Sequence, residues 1–433
     1  MSIRQVRSTA ISGLHANSDG LAIVGDNLAN INTPGFKEQR TSFEDVLGRS
    51  LLDSGGQQQS GAGTRICAPR QVFSQGNLAV TGAQGDVALS GDGFLVVRGT
   101  VGGVTGDFYS RAGQLRLDRD GYLVNPDGLV VQGWANRSDG IATASLSALR
   151  VVTAALPPRA TTTLQVCANL DANASLSEAA WDPQLPTNTS NFSTSLEVYD
   201  SLGQVHNLDV YFRKVGAGSW QWHAVVNAAE TAGATSGEFR EVGSGSLSFG
   251  GNGRLAASAV TNPITIDFQS VPGDQRISLD FGPTGVPDGL ALGCSQYARS
   301  FGVSSQTQDG YSSGAVAGFE IDGTGLVSAR YTNGENFAIG SMAIARFRAN
   351  EGLGRAGNGL WMATNESGTA ALGSANSGGR AAVTHGAIES ANVSVSTELV
   401  ELIVYQSAFN ASSKVFATAN AMGDALGDVG RRD

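Results

Sequence analysis

The chain has 433 residues and a formal net charge of −10, from 28 Lys and Arg residues against 38 Asp and Glu residues. Nucleic acid is bound through clustered Lys and Arg, so an acidic chain with scattered arginines is not expected to bind it, and no apolar run approaches the roughly 20 residues of a membrane span. Only 15% of the residues are charged and 58 are glycine, so we expect a neutral, hydrogen-bonding surface suited to contacts between subunits.

The N-terminal stretch, 1–36, predicts a long amphipathic helix. Its apolar residues recur at heptad spacing and form a narrow stripe, as in helices that pair with another helix. The leading row is Leu14, Leu21 and Leu28, and a weaker row beside it is Ala10, Asn17, Val24 and Ile31. Because Gly13, Gly20 and Gly25 each cost about 1 kcal/mol in a helix interior, the helix should need a partner, either its own globular domain or another helix.

The end of this helix is predicted at Thr33. Pro34 pushes the residue before it out of helical geometry, and Gly35 can take the positive φ of a turn. Phe36 is then expected to anchor the departing chain. Residues 37–71 follow as a flexible linker, because they are polar and rich in Gly, Gln and Ser.

From Val72 the sequence period changes from helical to β. Short alternating segments separated by turn residues predict a first β-rich domain made of 72–145 and 300–386. Asp118 to Gly121 resembles the start of a calcium loop but lacks the remaining ligands, so a hairpin turn is the favoured interpretation.

An outer, inserted β-rich domain is predicted over 146–299, with Pro157-Pro158 near its start. Its best hairpin joins Leu196–Tyr199 to Leu208–Phe212 through a turn at 200–203. Trp220 and Trp222 are expected to fill the core of this domain.

The C-terminal stretch, 387–433, predicts a second long helix, since it holds no Gly or Pro from Ala387 to Met422. Heptad spacing recurs there in Val395, Leu402, Phe409 and Phe416, with Leu399 beside them. The predicted fold is therefore mixed and mainly β with terminal α-helices. The N- and C-terminal helices form an antiparallel coiled-coil base that carries two successively inserted β-rich domains.

Catalytic, cofactor and metal sites are not expected. Gly310 to Gly314 fits the G-x-S-x-G nucleophile pattern, but no α/β alternation surrounds it. The four histidines are dispersed without ligand spacing. Cys67, Cys167 and Cys294 are far apart and predict neither a metal site nor a disulfide framework.

Two terminal motifs carry a resemblance to a known family. The N-terminal motif runs from Asn27 to Lys37, and its signature residues are Asn27, Asn30, Asn32, Thr33, Pro34, Gly35 and Phe36. The C-terminal motif comprises 390–393, 398–403 and 406–409, with Ser394 and Ser396 as departures. Together they resemble bacterial flagellar rod and hook proteins. The stretch Phe108–Gln114 resembles the first β domain of that family, and Tyr199–Gly203 resembles the outer domain of its hook members.

The resemblance implies a structural subunit, not an enzyme. It implies self-assembly into a flexible, curved tube, the hook, which acts as a universal joint: it joins the basal-body rod to the filament and transmits motor torque for motility. The implied partners are other copies of the chain, the rod at the proximal end, a hook-cap protein, a hook–filament junction protein at the distal end, and the type III export apparatus. The implied location is extracellular, after export without a cleaved signal peptide.

Tube assembly would require the two terminal helices to pack within or between subunits. The residues expected at this packing are Leu14, Leu21, Val24, Leu28 and Ile31 facing Val395, Leu399, Leu402, Phe409 and Phe416. One alternative in the same family is a distal rod subunit, which the large outer domain disfavours. The alternative from another class is a secreted β-rich adhesin or polysaccharide-acting enzyme, which leaves the paired terminal heptads unexplained.

Overall fold

The computed structural model describes residues 3–47, 51–53, 56–58, 61–136, 145–151, 155–232, 237–284 and 293–429. Its residues group into two compact units. The first unit comprises Met1–Thr153, Gly318–Arg330 and Asn336–Asp433, and the second comprises Ala154–Ala317 and Tyr331–Glu335. The fold is mainly β with an N-terminal and a C-terminal helix, which confirms that part of the prediction.

The helices are α1 (Ile3–Ala29), α2 (Pro186–Thr189) and α3 (Val395–Val429). The last helix begins later than predicted, because Ala387–Glu389 pairs as a strand with Leu78–Val80. The tail from Gly430 lies outside the described residues. Among the helices of the described chain, none combines the length and apolar character needed to cross a membrane.

The strands of the first unit come from two parts of the sequence, one before and one after the second unit. Before the second unit these are β1 (Gln39–Arg40), β2 (Phe43–Leu47), β3 (Leu51–Asp53), β4 (Gly56–Gln58), β5 (Gly61–Ile66), β6 (Arg70–Gln71), β7 (Leu78–Val80), β8 (Val87–Ser90), β9 (Phe94–Val101), β10 (Val104–Ser110), β11 (Arg116–Leu117), β12 (Leu123–Val124), β13 (Val130–Ala135) and β14 (Ser147–Ala148).

The described part of the second unit contains two sheets. Its strands are β15 (Thr163–Asn169), β16 (Phe192–Tyr199), β17 (Val205–Gly216), β18 (Ser219–Asn227), β19 (Phe239–Phe249), β20 (Leu255–Asn262), β21 (Ile264–Ile266), β22 (Gln275–Asp280) and β23 (Gly302–Gln308). One sheet is antiparallel in the order β16-β17-β18-β19-β20, and the other has the order β21-β22-β15-β23. The predicted hairpin is confirmed, with Leu196 opposite Leu208, and Trp220 and Trp222 are both 0% exposed.

The remaining strands return the chain to the first unit: β24 (Val316–Ile321), β25 (Leu326–Tyr331), β26 (Asn336–Met342), β27 (Ile344–Arg346), β28 (Gly354–Gly357), β29 (Leu360–Met362), β30 (Ala371–Gly373), β31 (Ala382–His385) and β32 (Ala387–Glu389). The main sheet of the first unit has the order β24-β25-β26-β13-β9-β10-β29-β28. Central strand β9 is buried on both faces: Leu95 and Val97 enter one apolar cluster, whereas Phe94 and Val96 enter another.

The segment predicted as a linker contains short strand pairs. Strand β1 pairs with β6, β2 with β5 and β3 with β4. The Ser12 hydroxyl of α1 accepts a hydrogen bond from Thr64 N at 3.2 Å. Sequence composition did not predict these pairs, because strands of two to six residues with polar side chains give a weak periodic signal.

Three hairpin turns are stabilised by the same kind of hydrogen bond. In each, an aspartate carboxylate accepts a backbone N–H four residues later, and the glycine between them has a positive φ, which only glycine adopts without strain. The bonds run from Tyr122 to Asp118 (2.7 Å), from Gln204 to Asp200 (2.8 Å) and from Leu326 to Asp322 (2.9 Å). The glycines are Gly121, Gly203 and Gly325. The turn predicted at Asp118, in preference to a calcium loop, is thus confirmed.

Candidate assembly interface

Helices α1 and α3 lie side by side in the first unit and run in opposite directions. Residues near the start of α1 contact the later part of α3, and residues near the end of α1 contact its first turns. The side chain of Asn27 donates to Glu398 Oε2 at 3.3 Å, and near the other end Arg7 lies over the ring of Phe416, with 6.0 Å from Cζ to the ring centroid.

Two glycines lie on the face of α1 that meets α3. The buried residues of α1 are Ala10, Ala16, Gly20, Val24 and Asn27. A Cβ added to Gly20 would lie 3.1 Å from the Tyr405 ring, and one added to Gly13 would lie 3.0 Å from Ser412 Oγ. These glycines therefore let the two helices approach closely, and their cost in helix propensity is offset by that contact.

The leucine row of α1 occupies a different position from the one expected of a buried seam. Leu14, Leu21 and Leu28 are half-buried, as is Ile31, whereas Val24 is only 2% exposed. In the weaker row seen in the sequence, Ala10 and Val24 are buried, whereas Asn17 and Ile31 are half-buried. Apolar periodicity alone ranks leucine above alanine and glycine, whereas close helix pairing favours small side chains.

The apolar residues predicted on α3 divide in the same way. Leu402 and Phe416 are half-buried, and the ring of Phe416 lies below Arg7 of α1. Val395, Leu399 and Phe409 remain 45%, 44% and 37% exposed. The described chain therefore brings only part of the predicted packing set together.

A contiguous apolar surface remains on the first part of α3. We call it the α3 patch: Val395, Leu399, Val400, Ile403 and Val404. Val400 and Ile403 are each 61% exposed, and Val404 is 57% exposed. Fully burying one such side chain is worth roughly 1.5–3 kcal/mol, so this surface would gain substantially from a partner.

The N-terminal signature residues build the turn that follows α1. Asn30 Nδ2 donates to Asp26 O at 2.9 Å, and Thr33 Oγ1 donates to Asn30 Oδ1 at 3.1 Å. Pro34 follows, half-buried, and Asn32 is exposed. Gly35 has a φ of 71°, and Phe36 is buried. The turn lies where it was predicted, but α1 already ends at Ala29, four residues before the predicted end at Thr33.

Asn27 links the end of α1 to the chain that leaves it. Its side chain donates to Gln39 O at 2.8 Å and accepts from Gln39 N at 2.9 Å. Burial raises the pKa of Glu398, and the hydrogen bond from Asn27 opposes that shift. The signature asparagine thus ties both helices to β1.

Two polar side chains next to this site, those of Asn392 and Glu389, cannot be recognised from the sequence. Asn392 Oδ1 accepts from Glu38 N at 2.7 Å, and Asn392 Nδ2 donates to Val72 O at 2.8 Å. Glu389 is fully buried and binds two cations. Both lie hundreds of residues from their partners, so local sequence patterns give no signal for them.

Nothing in the described chain groups three or more His, Cys, Asp or Glu side chains as metal ligands would be grouped. Cys167 and Cys294 are buried and Cys67 is half-buried. Burial raises the pKa of Cys294 to about 12. In the G-x-S-x-G segment, Tyr311 and Gly314 form isolated β-bridges with Arg159 and Leu156, which is not the strand–turn–helix setting of a nucleophile elbow.

Four family models match successive parts of the chain. They are the flagella basal body rod protein (residues 8–37), the flagellar hook protein FlgE/F/G D1 domain (88–169), the flagellar basal body protein FlaE D2 domain (169–311) and the flagellar basal body rod FlgEFG protein C-terminal (384–428). The first and last cover the two terminal motifs.

Relatives match over nearly the whole chain. The flagellar hook protein FlgE of Escherichia coli is 30% identical over 417 residues, covering 95% of this chain and 96% of the relative. That of Treponema pallidum is 29% identical and covers 96% and 98%. The crystal structure of Helicobacter pylori flagellar hook protein FlgE2, at 15% identity, covers 72% of this chain and 100% of that chain with a TM-score of 0.50, and supports the fold alone. The resemblance predicted from the terminal motifs is confirmed: this chain belongs to the flagellar hook protein FlgE family.

Proposed function

We propose that the chain is a structural subunit of the bacterial flagellar hook and assembles with copies of itself into a curved, flexible tube. The match to hook proteins over the whole chain carries this proposal. The α3 patch gives it a physical basis, because an apolar surface on a long exposed helix gains free energy when a second copy covers it.

In this proposal α1 and α3 form an antiparallel coiled-coil base of residues 1–36 and 387–433. The antiparallel contacts between α1 and α3 support this pairing. Two β-rich domains, 72–145 with 300–386 and then 146–299, are inserted successively. The chain order supports insertion, since the second unit is built mostly from residues between two parts of the first.

The packing set predicted from sequence acquires separate roles. Val24, Leu402 and Phe416 contribute to the pairing of the helices within one chain. The remaining positions are proposed to meet neighbouring copies: Leu14, Leu21, Leu28, Ile31, Val395, Leu399 and Phe409. Their half-buried or exposed state in the single chain supports this division.

The tube would join the rod to the filament as a universal joint and transmit torque. The proposed partners are the rod proximally, a junction protein distally, a hook-cap protein during assembly, and the export apparatus. The proposed location is the extracellular part of the flagellum, reached without a cleaved signal peptide. We propose no catalytic role. The hook is preferred to a distal rod subunit because the full-length relatives reported above are named hook proteins.

Substituting Ile403 by Asp tests the proposal. The change places a carboxylate in the α3 patch, where assembly would bury it without a partner at high cost. Purified I403D should form no tubes by electron microscopy under conditions that polymerise the unaltered chain. L402D should behave in the same way. In both variants the second unit should unfold at the same temperature as in the unaltered chain.

Ser413→Asp is the matched control, since it adds the same charge at an exposed polar position of α3 outside the patch. It should retain tubes. Normal tubes from I403D, or no tubes from the unaltered chain under any polymerising condition, would contradict the proposal.

A further inference from the structure

A buried cluster of charged side chains joins three distant stretches of the first unit. Lys37 Nζ donates to Glu389 Oε1 at 2.6 Å, and both side chains are 0% exposed. Arg111 Nη1 donates to Glu389 Oε2 at 3.2 Å, and its side chain is 2% exposed. We call Lys37, Arg111 and Glu389 the charge triad.

Each member belongs to, or adjoins, a stretch that carries the family resemblance. Lys37 closes the N-terminal motif, Arg111 lies within Phe108–Gln114, and Glu389 directly precedes the C-terminal motif. The three motifs therefore converge on one buried point. That convergence indicates that Lys37, Arg111 and Glu389 have a structural role in the first unit.

Backbone contacts at the same point fix the exit of both helices. Gly35 N, in the turn after α1, donates to the Glu389 carbonyl at 2.7 Å. A Cβ on Gly35 would lie only 2.6 Å from Ala112 N, so this turn is pressed against the chain beside Arg111. Helix α3 begins at Val395, shortly after Glu389. The end of one helix and the start of the other are thus held at one place on the β structure.

The charges of the triad are unequal, with two cations and one carboxylate. Lys37 also donates to Ser74 O at 2.7 Å, and Arg111 Nη2 donates to Gly91 O at 2.8 Å. Gly76 N donates to Glu389 Oε1 at 2.9 Å. Burial lowers the pKa of Lys37, and Glu389 opposes that shift. Glu389 is therefore the central member, because without its charge two cations would remain buried together.

We propose that the charge triad sets the direction in which α1 and α3 leave the β structure of the first unit, and thereby the twist of the assembled tube. This inference rests on the proposed hook function. It assigns Lys37, Arg111 and Glu389 a positioning role that is separate from the apolar contacts between copies.

The test compares tubes assembled from full-length chains carrying E389D, E389Q or K37M. E389D keeps the charge but shortens the side chain, so it should change the twist of the tube, measured by cryo-electron microscopy, or prevent tubes while the second unit melts as before. E389Q should form no tubes, and protease should cut near 35–37 and 390–394 on the order of 100-fold faster. K37M leaves Arg111 paired with Glu389, so tubes should still form, but the loss of the Lys37 contacts to Glu389 and Ser74 O should change their twist.

E351Q is the matched control, because it removes a carboxylate from an exposed ion pair with Arg70, whose side chains are 53% and 69% exposed. Its tubes should match the unaltered chain. E389D and K37M tubes that both keep the original twist would overturn the inference and leave the hook function intact. Failure of the unaltered chain to form tubes would overturn both.

Discussion

The terminal helix pair and the second unit bury their apolar residues to very different extents. In the second unit, Trp220, Trp222 and Phe212 are each 0% exposed within one apolar cluster. On α3, Val400 and Ile403 are each 61% exposed. The second unit completes its core within one chain, whereas the helix pair leaves an apolar surface open. We infer that the second unit is stable alone and that the helices depend on neighbouring copies.

The comparison also separates two uses of glycine. In the second unit, Gly203 takes the positive φ of a hairpin turn at 82°. In α1, Gly20 permits the close approach of the Tyr405 ring. The first use completes a local turn, and the second prepares a surface for a partner helix.

The largest effect on the stability of the helix pair is expected from replacing Gly20 by Ala. The added Cβ would lie 3.1 Å from Tyr405, whereas a Cβ at Gly25 meets nothing within 4 Å. Both changes gain the same helix propensity, about 1 kcal/mol, so their difference isolates the contact with α3. We expect the added methyl group to destabilise the contact with α3 by about 1–3 kcal/mol. G20A tubes should therefore disassemble at a lower temperature than G25A tubes.

The G25A variant serves as the control and should be at least as stable as the unaltered chain. The melting of the second unit should be the same in both variants. Equal disassembly temperatures for G20A and G25A would mean that Gly20 does not govern the packing of the two helices.

The pH dependence of the two regions should have opposite signs, with a smaller effect. Burial raises the pKa of Glu398, so its ionised form is disfavoured in the fold, and the helix pair should lose stability as pH rises from about 4.5 through that raised value. For Asp200, burial also raises the pKa, but hydrogen bonds from Gln204, Ser270, His206 and Leu202 together lower it. The second unit should therefore lose stability as pH falls below about 4.

Thermal melting of the second unit and disassembly of tubes across this pH range check both signs. Glu398→Gln should remove the rise in tube stability on mild acidification and leave the melting of the second unit unchanged. A helix pair that weakens on mild acidification would show that Glu398 is better stabilised as a carboxylate than its burial implies.

Sequence periodicity was informative where a pattern repeats locally. It predicted both terminal helices, the hairpin from Leu196 to Phe212 and the burial of Trp220 and Trp222, because helices and hairpins are made by residues close in sequence. The family resemblance came from the motifs around Asn27 and Asn392. These features need no knowledge of distant contacts.

Distant contacts were the part that sequence could not predict. Glu389 meets Lys37 and Arg111 only after the chain has folded, so no spacing indicates the charge triad. Gly20 lies outside both apolar rows because glycine is weakly apolar, although the close approach of α3 favours it. The start of α3 was placed too early because Ala387–Glu389 has a helical composition but pairs with β7.

The central claim is that the apolar surface of the terminal helices is completed only by other copies of the chain. Hydrogen exchange on the full-length protein, as dilute monomer and as assembled tube, tests it most directly. We predict that amides of α3 from 395 to 404 exchange rapidly in the monomer and become strongly protected in the tube, while those of β17 and β18 are protected in both. Equal protection of α3 in the dilute monomer and in the tube would contradict the claim.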